Sequence, residues 1–276
     1  MTDPAAGQRR SPERITSLAN PRVKAAVRLR ERREREATGL TIVDGAREIL
    51  RALDAGVRVE TAFIAPDLIR TDDAEAVARR LGRHPATIEV AAAVLEKIAF
   101  GDRSDGVVVV VVAPLDRELD ELELPENPLI VIVERVEKPG NLGAMLRTAD
   151  AAGVDDVVAA DPVTDWGNPN VVRSSKGTVF SVPVAAAGTQ EVLDWLRGNG
   201  IRLVATTPDT DTAHTDVDYR GSVAVAVGTE KEGLTDVVLG AADERVRIPM
   251  VGRVNSLNAA TAAAVVVYEA VRQRSS

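Results

Sequence analysis

The second half of this chain is built from short, almost uninterrupted apolar runs at Leu129 to Val133, Asp156 to Ala160, Arg202 to Thr206 and Val223 to Val227. A strand with one wet face alternates apolar and polar residues. A strand that is apolar throughout reads as buried on both faces, and such runs separated by helices favour a parallel sheet covered on each side. Helical patterns at Leu142 to Ala152, Gln190 to Gly198 and Leu257 to Arg272, with further strands expected at Ser181 to Val184 and Arg245 to Ile248, complete a βα alternation. Aromatic residues are only 3% of the sequence, so Val, Ile, Leu and Ala must build the core.

The first half is a smaller version of the same class. Residues 1–12 lack periodicity and read as a flexible tail. Val23, Val27 and Leu29, set among charges, predict one amphipathic helix from Asn20 to Glu36, with Asn20 as its cap and Pro21 at its first position. Strands are expected at Leu40 to Val43, Arg58 to Ile64 and Val107 to Ala113, and helices at Ala46 to Ala55 and Ala74 to Leu81. The acidic, proline-bracketed segment Pro114 to Pro128 marks a boundary. The expected organisation is therefore a tail at 1–12, a small α/β domain at 13–120 and a larger parallel α/β domain at 121–276.

With 276 residues, no cysteine and two histidines, His84 and His214, the chain has no thiolate zinc site, iron–sulfur cluster, cysteine nucleophile or multi-histidine metal centre. No metal is expected. Neither a secretory h-region nor a run of membrane-spanning length is present, so a cytoplasmic protein without a membrane partner is expected. The net charge of −8 argues against a nucleic-acid partner, but its distribution does not. Residues 1–36 hold ten Arg or Lys against five acids, which reads either as a basic RNA-contacting arm or as a solvated helix face.

Three glycine-containing loops of the second domain fall where strands end or helices begin, the place where open α/β sheets bind ligands. The first, Glu134 to Arg147, has neither the dinucleotide fingerprint nor a P-loop. It offers Asn141, which is either an N-cap or a site residue, and Arg147, a cation among Leu142, Met145 and Leu146 that needs a surface exit or an anion. The second, Val227 to Leu234, places Glu230 between Gly228 and Gly233. The third, Ile248 to Ala260, places Ser256 and Asn258 at the start of an Ala- and Val-rich helix; Ser256 reads as a cap, whereas Asn258 needs more than capping to explain it.

Together, Asn-x-Gly-x-x-x-Arg, Gly-x-Glu-x-x-Gly and Ile-Pro-Met…Ser-Leu-Asn-Ala-Ala resemble the three motifs of the SpoU/TrmH family of RNA ribose 2′-O-methyltransferases, within the SPOUT superfamily. The segment Asn170 to Phe180 is also similar to the family pattern, and the first domain looks like the L30e-type substrate-binding domain of rRNA-directed members. The resemblance implies a C-terminal trefoil knot, S-adenosylmethionine as methyl donor, a homodimer and an RNA substrate, 23S rRNA first and tRNA second. A silent RNA-binding assembly factor is the reading from another class. The resemblance also implies Arg147 as the catalytic residue, with Asn141, Glu230, Ser256 and Asn258 around it. Thr206, Gly228, Ile248, Met250 and Leu257 are then expected at the cofactor, with Arg173, Arg22, Lys24 and Arg28 on RNA.

Overall fold

A computed structural model describes residues 14–100, 104–114 and 117–275, so the expected tail at 1–12 lies outside the described residues. The chain divides into two compact units, one ending at Val112 and the other running from Ala113.

The first unit contains α1 (Pro21–Arg28), α2 (Arg32–Thr38), β1 (Leu40–Asp44), α3 (Ala46–Asp54), β2 (Val59–Ile64), α4 (Asp72–Leu81), β3 (Thr87–Glu89), α5 (Ala92–Ile98) and β4 (Val107–Val112). Its sheet has the order β1-β4-β2-β3, with β4 antiparallel to both neighbours and β3 parallel to β2. Asn20 caps α1 through the Arg22 amide at 2.9 Å, as expected.

The single helix predicted over Asn20 to Glu36 is instead two, and the reason is tertiary. Arg35, 4% exposed, turns back and donates from Nη1 to the carbonyls of Leu29 and Arg30 at 3.0 and 2.9 Å, satisfying the end of α1. Arg30 donates to the carbonyls of Lys97 and Ala99 at 3.0 and 2.7 Å, finishing α5. Two of the ten cations of this stretch are thus internal fastenings. The apolar side of α1, Val23, Ala26 and Leu29, is buried with Ile42, Phe63 and Leu95, so the helix is part of the core and not a detachable arm.

The second unit contains β5 (Leu129–Glu134), α6 (Pro139–Ala152), β6 (Asp156–Ala160), α7 (Pro169–Ser174), β7 (Val184–Ala187), α8 (Thr189–Gly198), β8 (Arg202–Thr206), β9 (Val223–Val227), α9 (Asp236–Ala241), β10 (Glu244–Val246) and α10 (Ala259–Arg274). The six strands are all parallel in the order β10-β8-β9-β5-β6-β7. β5, β6 and β9 are buried along their whole length, as double-sided burial demands. The strand expected at Ser181 to Val184 starts only at Val184, because the preceding residues form a tight turn over Thr178–Phe180. Residues 117–120 group with this second unit, where Arg117 bridges to Ala185. No helix among the described residues is long and apolar enough to cross a membrane.

Candidate active site

The loops that leave β8, β9 and β10 at their carboxyl ends enclose a cleft of about 530 Å³, within the usual size of a small-molecule site. Thr206, Gly228, Ile248, Met250 and Leu257 all line it. Gly228 is required by packing, since a Cβ there would overlap the backbone of Gly233 and Leu234. Thr206 is the telling residue. Its hydroxyl oxygen is shielded from solvent and has no hydrogen-bond partner among the described residues, although a buried hydroxyl is normally paired. Ile248, Met250 and Leu257 give the cleft apolar lining, and Thr206 brings one unpaired hydroxyl to it.

Glu230 lines the same cleft and joins the three motif loops. Its Oε1 accepts from Asn141 Nδ2 at 3.1 Å and from Asn258 Nδ2, while Lys138 donates to its Oε2. Asn258 Nδ2 also donates to Asn141 Oδ1 at 2.9 Å. The hydrogen bond from Lys138, then that from Asn141, hold the Glu230 carboxyl below its ordinary range. It is therefore a hub that accepts three side-chain hydrogen bonds, two on Oε1 and one on Oε2.

The geometry resolves the questions left open at Asn141, Ser256 and Asn258. α6 begins at Pro139 with Lys138 in the cap position, so Asn141 is already inside the helix and is free to reach Glu230. α10 is capped by Asn258, whose Oδ1 accepts the amides of Ala260 and Thr261 at 3.0 and 3.4 Å while its Nδ2 serves the hub. Ser256 is not the cap; it is exposed and lines the cleft. Lys138 was missed, though a lysine directly before a proline that opens a helix was a usable signal.

Arg147 is exposed on α6 and has no hydrogen bond or ion pair among the described residues. Six residues separate it from Asn141, which puts the two about 120° apart around the helix, so Arg147 does not join the hub. Arg173, on α7, is likewise exposed and unpaired among the described residues. α6 and α7 touch closely: a Cβ on Gly143 would collide with Ser174 and, at 2.6 Å, with the Ser175 amide nitrogen. In the first unit Arg22 and Lys24 are exposed, and Arg28 is exposed but paired with Glu34 at 3.1 Å. Among the described residues no group of three His, Cys, Asp or Glu side chains is placed to hold a metal ion.

Residues 128–268 match the SpoU rRNA Methylase family. The chain is 35% identical, over 89% of its own length and 87% of the relative's, to the 23S rRNA (uridine(2479)-2′-O)-methyltransferase of Streptomyces viridochromogenes. The chain belongs to the SpoU rRNA methylase family. Residues 20–109 of this SpoU family member match the MRM3-like substrate binding domain. A crystal structure described as an RNA 2′-O ribose methyltransferase is 41% identical and superposes with a TM-score of 0.83, covering 95% of this chain and 99% of that one. The AdoMet-bound rRNA methyltransferase of Sinorhizobium meliloti is 31% identical, with a TM-score of 0.84 over 94% of this chain and 97% of its own.

Proposed function

We propose that this SpoU family protein transfers a methyl group from S-adenosylmethionine to a ribose 2′-hydroxyl of 23S ribosomal RNA. The observation that carries the reading is the Asn141–Glu230–Asn258 hub on the edge of a cleft lined by every residue expected at the cofactor. When bound, S-adenosylmethionine supplies a methyl group already activated on a sulfonium. The protein's remaining work is to align a hydroxyl with that methyl, exclude competing water and stabilise the charge that develops on the ribose oxygen.

Thr206, Gly228, Ile248, Met250 and Leu257 hold the cofactor in the cleft. Asn141, Ser256 and Asn258 orient the ribose, and Glu230 fixes the two asparagines. Glu230 serves as an anchor, its carboxylate already accepting from Lys138, Asn141 and Asn258. Arg147 is not a base, since a guanidinium stays protonated in proteins. Arg147 grips a phosphate and stabilises the emerging alkoxide, with the proton passing to phosphate or water; Arg173 takes a neighbouring phosphate. Neither arginine has an ion pair among the described residues, which supports this assignment.

Arg22, Lys24 and Arg28 of α1 contribute RNA contacts from the first unit. Replacing Arg22 and Lys24 together by Glu should weaken rRNA binding and lower the slope of log affinity against log salt by about two. An unchanged slope in filter-binding titrations would reduce these cations to a solvated face. The protein works as a homodimer, and the support is on α10: Tyr268 is 49% exposed and continues a stripe through the half-exposed Val265, Ala264 and Val271. Light scattering at micromolar concentration tests this. The trefoil knot and a cytoplasmic location belong to the same reading. The deciding experiment treats unmodified 23S rRNA with enzyme and S-adenosylmethionine and maps the product by mass spectrometry. A single 2′-O-methylated nucleotide is expected; no modification, or a methyl group on a base, overturns the proposal.

A further inference from the structure

Two helices of the parallel sheet start in the same way. Asp161 follows β6, and its Oδ1 accepts the backbone N–H of Thr189 at 3.1 Å while its Oδ2 accepts the Thr189 hydroxyl at 2.9 Å, at the first residue of α8. Glu134 ends β5, and its Oε2 accepts the backbone N–H of Thr235 at 2.8 Å while its Oε1 accepts the Thr235 hydroxyl at 2.6 Å, at the cap of α9. Each is a carboxylate at the end of a strand gripping both donors of one threonine, an arrangement that satisfies the helix start from outside its own chain segment. Glu134 is the more committed of the two, being 1% exposed, and its Oε1 also accepts the Thr189 hydroxyl at 3.4 Å. No step of the methyl transfer uses it.

What precedes the two threonines differs. Thr189 follows Gly188 and β7, which do not line the cleft. Thr235 follows Gly228 to Leu234, which forms one wall of it. That wall is a closed collar, with Thr229 and Gly233 exchanging backbone hydrogen bonds at 3.0 and 3.1 Å. Glu230 holds the collar at its tip through the hub. Its base is fixed by Leu234, which is buried in the core, and by the Thr235 cap that follows it, which is gripped by Glu134.

We propose that Glu134 is a positioning residue for cofactor binding: by locking Thr235 it holds the Gly228–Leu234 wall in its ligand-ready form before any ligand arrives, while the Asp161–Thr189 pair, which meets Glu134 through one longer hydrogen bond, serves the fold. This rests on the cleft being the S-adenosylmethionine site. If loosening the wall leaves about a tenth of molecules ligand-ready, the apparent dissociation constant rises about tenfold.

The test is calorimetric titration of the full-length protein with S-adenosylmethionine, together with hydrogen–deuterium exchange of the 228–236 segment without ligand. Glu134→Gln and Thr235→Ala are expected to raise Kd about tenfold and to speed exchange in that segment. Thr235→Ser, which keeps the hydroxyl, should restore both to within twofold of wild type. Asp161→Asn should lower Tm and leave Kd and exchange of the segment unchanged. If Glu134→Gln does not fold, Thr235→Ala and Thr235→Ser carry the same comparison. Equal Kd values in wild type and Thr235→Ala, or an Asp161→Asn protein that loses affinity as much, overturns the proposal. A wild-type protein that binds no S-adenosylmethionine overturns the cofactor reading and this proposal with it, a result distinct from variants that bind as well as wild type.

Discussion

At the carboxyl edge of the parallel sheet the key carboxylates are richly served. Glu134 and Asp161 each hold both donors of a threonine, and Glu230 is met by Lys138, Asn141 and Asn258. At the amino edge the pattern is mixed. Asp155 and Asp243 accept the amides of Leu129 and Leu203, near the starts of β5 and β8, at 2.8 Å, but Asp156 is 2% exposed and its Oδ2 has no partner among the described residues. Burial first, and the charge of Asp155 second, raise the Asp156 carboxyl from 3.8 to about 6, against a smaller lowering by Arg117. Arg274 fastens this edge, donating to the carbonyls of Tyr219, Asn127 and Pro128 at 3.0, 2.9 and 3.1 Å and also to that of Gly221. One edge is arranged for ligands and the other holds the end of the last helix, so changes at the two should separate activity from stability.

The largest effect is expected at the carboxyl edge. Arg147→Ala should slow methyl transfer by about a thousandfold, the scale of losing a donor to developing oxyanion charge. The Kd for S-adenosylmethionine should stay within twofold of wild type, and a variant with full activity would remove Arg147 from the chemistry. Next comes Arg274→Ala, which strips four carbonyls of a shared donor and should cost about 2–3 kcal/mol in denaturant melts. Its turnover per folded molecule should equal wild type, and a large drop in kcat would break the division between edges.

The smallest effect carries a pH signature. For Asp156 the folded state binds its proton more tightly than the unfolded chain, so the cost of ionising it is fully present above about pH 6 and disappears below 3.8. Asp156→Asn should therefore stabilise the protein by about 2 kcal/mol at pH 8, and the gain should shrink to nothing as pH falls below the unfolded value. A gain independent of pH would show that packing, not charge, is the cause.

How much of this was legible in the sequence follows from how local each signal is. β5, β6, β8 and β9 were readable to within a residue because a doubly buried strand writes its burial as an apolar run. The break between α1 and α2 was not, because nothing in Leu29 to Glu31 opposes a helix; Arg35 folds back onto the carbonyls of Leu29 and Arg30, and Arg30 is drawn to carbonyls at the end of α5. β3 and α5 were missed because three strand residues and an Ala-rich stretch give too little periodicity. At the site, the motifs identified Asn141, Glu230 and Asn258, but their shared contact depends on where α6 and α10 begin. Glu134 was quoted only as the start of a loop. A charge at the end of an apolar strand looks like the point where the strand meets water, and only the position of α9 reveals that it does not.

The collision that a side chain at Gly143 would cause has a consequence for RNA. With no room between α6 and α7, Arg147 on one and Arg173 on the other ride on a single rigid block. They cannot open and close like two fingers. Only their side chains are left to adjust to the phosphates that the two arginines are proposed to grip. An absent methyl group thereby fixes the distance between the two helix positions from which these cations reach out.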